Sequence, residues 1–312
     1  MRRQVLIIAG MHRSGTSLVA NILEESGLFL GMRKLPPAFD NPKGYYEDTE
    51  FLDLNIKILK YNKTTHLLDK DIELTIPDFL KKEAIALIKK RESLNIDWGW
   101  KDPRNSLLLD FWAQLIPEAK FLFLFRPYEQ VVDSLLRRIS RTPLRRPLNY
   151  TTGEFPEKFY YRLFDKITNV LEEKFLKIDK FIIINKYYDD VLKKIKEIRF
   201  NLKSNDLYKL YTINWIIYNI KILRFIKKNQ SRYLLLNPIN FLKYYDNIVY
   251  FFKKNWGFNV NRIDLTNIYN PNLLKKDTFY FDKFYNFLEK DLKSIYFELL
   301  NFEKISLDII NT

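Results

Sequence analysis

Short unbroken apolar runs alternate along this chain with longer stretches in which apolar residues recur every three or four positions. The first run, VLIIA at Val5–Ala9, has the length and uniform hydrophobicity of a buried parallel strand. From Ser14 to Glu25, Leu18, Ile22 and Leu23 take helical spacing, and Gly27 stands where a helix C-cap is wanted. Helices are predicted over Thr49 to about Tyr61 and over Pro77 to about Ser93, the second opened by a proline suited to a first helical turn. WGWK, Trp98–Lys101, reads as a strand end, and Leu107–Leu115 as a short helix closed by Pro117. KFLFLF, Lys120–Phe125, is the clearest strand, and after Pro127 the segment YEQVVDSLLRRI carries a helix. Residues 142–203 read as mostly helical, with KFIIIN a candidate strand. Leu207–Lys228 is a long amphipathic helix, RYLLLN at Arg232–Asn237 a further strand, and the remainder helical and aromatic-rich.

Strands that alternate with helices imply parallel β-α-β units, hence an α/β protein with a doubly wound parallel sheet flanked by helices. Ligands in such sheets bind beyond the carboxyl ends of the strands. The loop after Val5–Ala9 and Arg126 after Lys120–Phe125 both fall there. A length of 312 residues, a hydrophobic fraction of 47% and the absence of any Gly/Ser- or Pro-rich linker favour one domain over residues 1–312. Its loop-bearing core is expected over about residues 1–140, and a helical region over about 141–312. No internal repeat is visible.

Composition narrows the chemistry. No cysteine is present, which excludes a disulfide framework and a thiolate zinc site. No stretch reaches the roughly 18–20 uninterrupted apolar residues of a membrane helix; NWIIYNIKILRFI comes nearest and is broken by Lys221 and Arg224. VLIIA is too short for the apolar centre of a signal peptide, so a cytosolic protein is expected. The formal charge of +14 admits a nucleic acid, an anionic membrane or an anionic small ligand. It also fits lysines on the solvated faces of helices, as in FLKKEAIALIKK. No stretch has the aromatic or zinc-finger spacing of a nucleic-acid reader, so no nucleic-acid partner is expected.

The sharpest signal is GMHRSGTS. Gly10 and Gly15 bracket four residues between a strand and a helix, the outline of a phosphate-binding loop. The glycines let successive backbone N–H groups turn inward, and the helix start adds its positive end. Ser14, Thr16 and Ser17 add hydroxyls, and Arg13 adds a planar fork of donors. His12 lies beside the loop, where it contacts the ligand, serves as an acid or base, or packs the turn. A nucleotide triphosphatase carries a lysine after the second glycine, and here Thr16 stands in that place. The second signal is FRPYEQVVDSLLRR. Arg126 at a strand end and Ser134 in the following helix can together grip a second phosphate.

In these motifs the chain resembles sulfotransferases that use 3′-phosphoadenosine 5′-phosphosulfate (PAPS), including the bacterial carbohydrate-type and tyrosylprotein-like branches. GMHRSGTS resembles the family's 5′-phosphosulfate loop and FRPYEQVVDSLLRR its 3′-phosphate motif. NPKGYYEDTEF and WGWKDPRNSL resemble segments of bacterial members. The likeness covers about residues 4–138 well, and Trp215–Asn237 weakly; no glycine-rich C-terminal element is found. The resemblance implies a P-loop, nucleotide-triphosphatase-like fold. It implies transfer of a sulfuryl group from PAPS to a hydroxyl or amine acceptor without a metal, the acceptor being a small molecule or glycan, with carbohydrate or glycolipid preferred.

On that resemblance, His12, Arg13, Ser14, Gly15, Thr16, Ser17, Arg126 and Ser134 hold the nucleotide, and Arg13, Lys101 and Glu47 are catalytic. Lys101 stands as a cation for the reacting oxygens or as an ion-pair partner of Asp102, and Arg104 as a site residue or a carboxylate partner. Glu47, beside Tyr45 and Tyr46, is placed to be a desolvated base. Asp48 is the rival as an N-cap for the helix after it, with Glu50 in its first turn. His66 carries no signal. A P-loop kinase or nucleotide triphosphatase is the alternative reading, and a basic nucleic-acid or lipid-binding module a weaker one.

Overall fold

The computed structural model describes residues 3–36, 44–68, 70–141, 204–229, 231–266, 268 and 289–311. The candidate strand at 180–185 and most of the Pro-rich segment before Gly44 lie outside them.

Four strands form one parallel sheet: β1 (Val5–Ala9), β2 (Trp98–Lys101), β3 (Lys120–Leu124) and β4 (Tyr233–Leu236), in the spatial order β2-β1-β3-β4. Every adjacent pair is parallel, with Ile8 opposite Lys101 and Leu122, and Leu124 opposite Leu236. The strands are short apolar runs because both faces are covered. Ile7, Ala9, Trp98, Trp100, Phe121, Phe123 and Leu235 belong to one buried cluster. Leu6, Ile8, Leu122, Leu124 and Leu234 belong to the other. Successive side chains point to opposite faces, so a single strand supplies both layers.

The helices fall where periodicity places them. They are α1 (Thr16–Glu25), α2 (Thr49–Tyr61), α3 (Asp78–Glu92), α4 (Leu109–Leu115), α5 (Tyr128–Arg141), α6 (Ser204–Lys228), α7 (Pro238–Lys243), α8 (Tyr245–Lys254) and α9 (Glu289–Asn311). Pro77 stands as the N-cap of α3, and Gly27 follows the Ser26 C-cap of α1 with φ 104°. The predicted helix Leu107–Leu115 begins two residues later: Leu107 ends a 3-10 turn at Pro103–Leu107, and α4 follows it. Asp102 caps that turn, its carboxylate accepting from the Arg104 amide at 2.9 Å ahead of Pro103. No helix among the described residues is long and apolar enough to cross a membrane.

The edge strand β4 is shielded by α9. Ser306 Oγ accepts from the Leu235 amide at 3.0 Å, and Glu303 Oε1 accepts from the Asn237 amide at 2.5 Å. Side chains of a helix thus satisfy N–H groups that an open sheet edge would present to another chain. At the opposite side of β1, Gly99 leaves room for its neighbour: a Cβ there would lie 2.1 Å from the Leu6 carbonyl oxygen. Gly99→Ala is therefore expected to destabilise the fold by about 1–3 kcal/mol through overpacking. A lowered denaturant midpoint with an unchanged slope checks this.

Candidate active site

The C-terminal ends of the four strands gather the residues singled out in the sequence. After β1 the chain turns at Gly10, where a Cβ would lie 2.3 Å from the Leu124 carbonyl, so β1 and β3 approach too closely for a side chain. The Gly10 amide donates to Ser106 Oγ at 2.9 Å, tying the loop to the turn after β2. Arg13 and Gly15 both have left-handed backbone, φ 71° and 87°. Gly15 also packs on the first turn of α7: a Cβ would lie 2.4 Å from Pro238 Cγ. Helix α1 starts with no side-chain cap and no acidic residue in its first turn. Its leading amides have no intrahelical acceptors, and the helix dipole leaves that end positive.

Two groupings form around this loop. In the first, Arg13 Nε donates to Ser134 Oγ at 2.9 Å, and Arg126 Nη1 donates to the Arg13 carbonyl at 3.1 Å. Arg126 and Ser134, expected to grip one phosphate together, both bond to Arg13, and the Arg126 guanidinium is also held by Gln130 Oε1 at 2.9 and 3.1 Å. A helix turn after Pro127 brings Gln130 back beneath the strand end, which the spacing to Ser134 alone does not reveal. Trp215 Nε1 donates to the Arg126 carbonyl at 3.0 Å. Burial, and next the charge of Arg13, pull the Arg126 guanidinium down to about 10. Two guanidiniums held this close make a region in which an anion is electrostatically favoured.

In the second grouping, Lys101 Nζ is 2.5 Å from Glu47 Oε1 and donates to Ser17 Oγ at 3.1 Å. Ser17 Oγ donates in turn to the Tyr45 carbonyl at 3.1 Å. The anticipated alternative, Lys101 paired with Asp102, is not what forms. The side chains of successive residues leave a strand on opposite faces. Asp102 instead pairs with Arg104 at 3.0 Å and accepts from Asn55 Nδ2 at 2.9 Å. Glu47 and Lys101 are both buried, and burial dominates both shifts, raising the carboxyl and lowering the ammonium. Glu47 Oε2 is also buried and has no hydrogen-bond partner among the described residues.

The expected N-cap role of Asp48 is observed: its side chain accepts from the Glu50 amide at 2.9 Å. Asp48 also receives the buried Arg91 guanidinium at 2.7 Å, a contact sequence reasoning missed. Ser14 and Thr16 are buried at the loop. His12 packs against His66, ring centroids 4.6 Å apart, and against Tyr218 at 6.3 Å. His66, without signal in the sequence, is therefore part of the loop's packing. A small cavity beside this pair is lined by Met11, Leu135, Arg138 and Tyr211 as well. Burial, then the nearby His66, hold the His12 imidazole well below its usual range. The described residues contain no group of three or more His, Cys, Asp or Glu able to hold a metal.

A buried acid–base pair bridged by a hydroxyl to a helix-starting loop, beside a double-arginine grouping, can hold an anion and exchange a proton at its edge. Comparison with known proteins gives the family. The Sulfotransferase family model matches residues 5–180, more than half of the chain, and the chain belongs to the sulfotransferase family. It is an enzyme of sulfuryl transfer. The crystal structure of sulfotransferase STF1 from Mycobacterium tuberculosis aligns with 95% of this chain and 77% of that one, at 12% identity and a TM-score of 0.41. No curated protein matches.

The buried pair makes its own energetic prediction. Lys101→Met strands the Glu47 carboxylate and is expected to cost about 3–5 kcal/mol, whereas adding Glu47→Gln removes that charge and recovers much of the loss. A double-mutant cycle by denaturant titration checks this. Additive losses would show that the pair does not interact.

Proposed function

We propose that this enzyme moves the sulfuryl group of PAPS to a hydroxyl or amine acceptor, with a carbohydrate or glycolipid the preferred class. PAPS, when bound, supplies an activated sulfuryl group, and its nucleotide departs as adenosine 3′,5′-bisphosphate. The fit rests on the donors this chain presents. The uncapped start of α1, the Arg13 guanidinium and the hydroxyls of Ser14, Thr16 and Ser17 suit the 5′-phosphosulfate end. Arg126 and Ser134 suit the 3′-phosphate, and Arg13 of the loop is bonded to both. His12 contributes by packing the loop against His66. In this reading residues 1–312 act as one domain, with the nucleotide side in about 1–140 and the acceptor side in about 141–312.

The observation that carries the reading is the orphaned oxygen of Glu47. Oε1 is held by Lys101, and Oε2 is buried with no partner among the described residues. An acceptor hydroxyl at Oε2 would satisfy that atom and give up its proton there as its oxygen becomes the nucleophile. Lys101, which reaches both Glu47 and Ser17, would supply a positive charge to the bridging oxygen as that oxygen gains negative charge. Arg13 does the same from within the loop. Thr16 in place of the usual lysine argues against the kinase alternative.

Nucleotide choice is tested by thermal shift. A ligand that binds only the folded state raises its midpoint by mass action. Adenosine 3′,5′-bisphosphate is expected to raise it at micromolar concentration, and ATP with magnesium to do much less. A larger shift with ATP and magnesium would put the kinase reading ahead.

The base is tested by Glu47→Gln, which keeps size but cannot accept a proton. Turnover of PAPS labelled in the sulfuryl group, against a panel of free sugars and phenols, is expected to fall by about 10²- to 10⁴-fold. Affinity for the bisphosphate is expected to hold. Because burial raises the Glu47 carboxyl above its ordinary value, the active, ionised form is gained as pH rises through that elevated value. The wild-type pH–rate profile should show this acid limb, and Glu47→Gln should lack it. A variant that retains both rate and limb would remove Glu47 from the reaction.

A further inference from the structure

The carboxylate that the reading above makes the base is held in an unusual backbone setting. Tyr46, immediately before Glu47, is left-handed with φ 62°, a conformation that costs a non-glycine residue free energy and persists only when its surroundings enforce it. On the N-terminal side the Leu35 amide donates to the Glu47 carbonyl at 2.9 Å, and the Thr49 amide donates to the Arg33 carbonyl at 2.8 Å. Gly31, with φ 127°, faces the Asp48 carboxylate so closely that a Cβ would lie 2.4 Å from Oδ2.

On the other side stands Arg91, from the last turn of α3. Its side chain is fully buried, and Nη2 donates to Asp48 Oδ2 at 2.7 Å and to Glu50 Oε2 at 2.6 Å. Nε and Nη1 are buried with no hydrogen-bond partner among the described residues. The guanidinium lies 5.7 Å from the centre of the Phe51 ring, which stacks on Trp100 at 4.1 Å. Asp48 directly follows Glu47, and Trp100 directly precedes Lys101. One cation therefore touches the neighbour of the carboxylate and the aromatic stack beside the lysine. A surface ion pair would need none of this. Burying a guanidinium with two donor groups unsatisfied is costly, and a better-packed apolar residue would serve stability as well or better.

We propose that Arg91 is a positioning residue that sets the Glu47–Lys101 pair in register, acting through Asp48 and through the Phe51–Trp100 stack. It touches neither the pair nor the nucleotide loop in the described contacts. The inference rests on the reading of Glu47 as the proton acceptor only for its functional meaning, since the geometry it concerns can be measured without turnover.

The experiment is a titration of Glu47 by NMR, with glutamate labelled at the side-chain carboxyl carbon and the signal assigned by its absence in Glu47→Gln. Arg91→Met alone strands the Asp48 charge and is liable to unfold the chain. The decisive variant is therefore Arg91→Met with Asp48→Asn, which removes both charges and keeps a helix cap. In that variant the carboxyl is expected to titrate higher than in wild type by about one pH unit or more, because it stays buried but loses the aligned ammonium. Arg91→Lys, still able to reach Asp48, is expected to lie between. Affinity for adenosine 3′,5′-bisphosphate, measured by calorimetry, should change less than about twofold in both, an effect under half a kcal/mol. A Glu47 titration unchanged in the folded double variant would overturn the proposal and assign Arg91 to stability alone. Unchanged turnover in Glu47→Gln would instead overturn the base reading and leave the titration result standing.

Discussion

Parallel pairing of the four strands is the constraint from which the site follows. Because all four run the same way, Gly10, Lys101, Phe125 and Asn237 end up at one edge of the sheet although they are spread over most of the chain. Each strand is buried on both faces, so the polar groups of the candidate site gather at the strand ends and in the loops that follow them. The β1–β3 contact fixes Gly10 against Leu124, and the start of α7 after β4 fixes Gly15 against Pro238. The loop is thus shaped by strands and a helix from both halves of the chain.

That edge concentrates buried charge. Lys101 with Glu47, Arg104 with Asp102 and Arg91 with Asp48 are three acid–base contacts at 2.5, 3.0 and 2.7 Å, all with both partners buried. Taking an ion from water costs several kcal/mol even after relaxation, so these contacts do not explain why the protein folds. Two apolar clusters, one on each face of the sheet, are the source of stability. The ion pairs draw on it, and in return they hold charged groups without the mobility of a surface side chain. Asn55 and Asn105 complete the arrangement: Asn55 donates to both Asp102 and Asn105, and Asn105 accepts from Trp100.

Much of the site is legible in the chain because its pieces are local. The loop, Arg126 and Ser134 lie within strand–turn–helix units whose periods change abruptly, from continuous apolar runs to three-and-four spacing. Lys101 and Glu47 stand out through the motifs around them, yet their contact spans 54 positions in sequence and no periodicity encodes it. Arg91 and Asn55 leave a fainter trace. Each occupies a core-facing position of an amphipathic helix, Arg91 in line with Leu80, Ala84, Leu87 and Ile88, and Asn55 among Phe51, Leu54, Ile58 and Leu59. A polar residue in an apolar stripe must find a partner when buried, so the stripe itself marks both residues as members of a polar contact without naming the other member.

The sequence by itself determined the alternation of strands and helices, the parallel α/β class, the phosphate-type loop and the residues from which a site could be drawn. Those features depend on the chemistry of neighbours a few positions apart. The tertiary structure decided which charge meets which. It gave Lys101 to Glu47 and not to Asp102, brought Arg13 to Ser134 and Gln130 to Arg126, and set Arg91 on Asp48. Each contact follows from the face of the strand, helix or loop on which a side chain emerges, and the buried ion pairs follow also from the requirement that a buried charge meet an opposite one. Only the packing of distant segments against each other fixes those two conditions together.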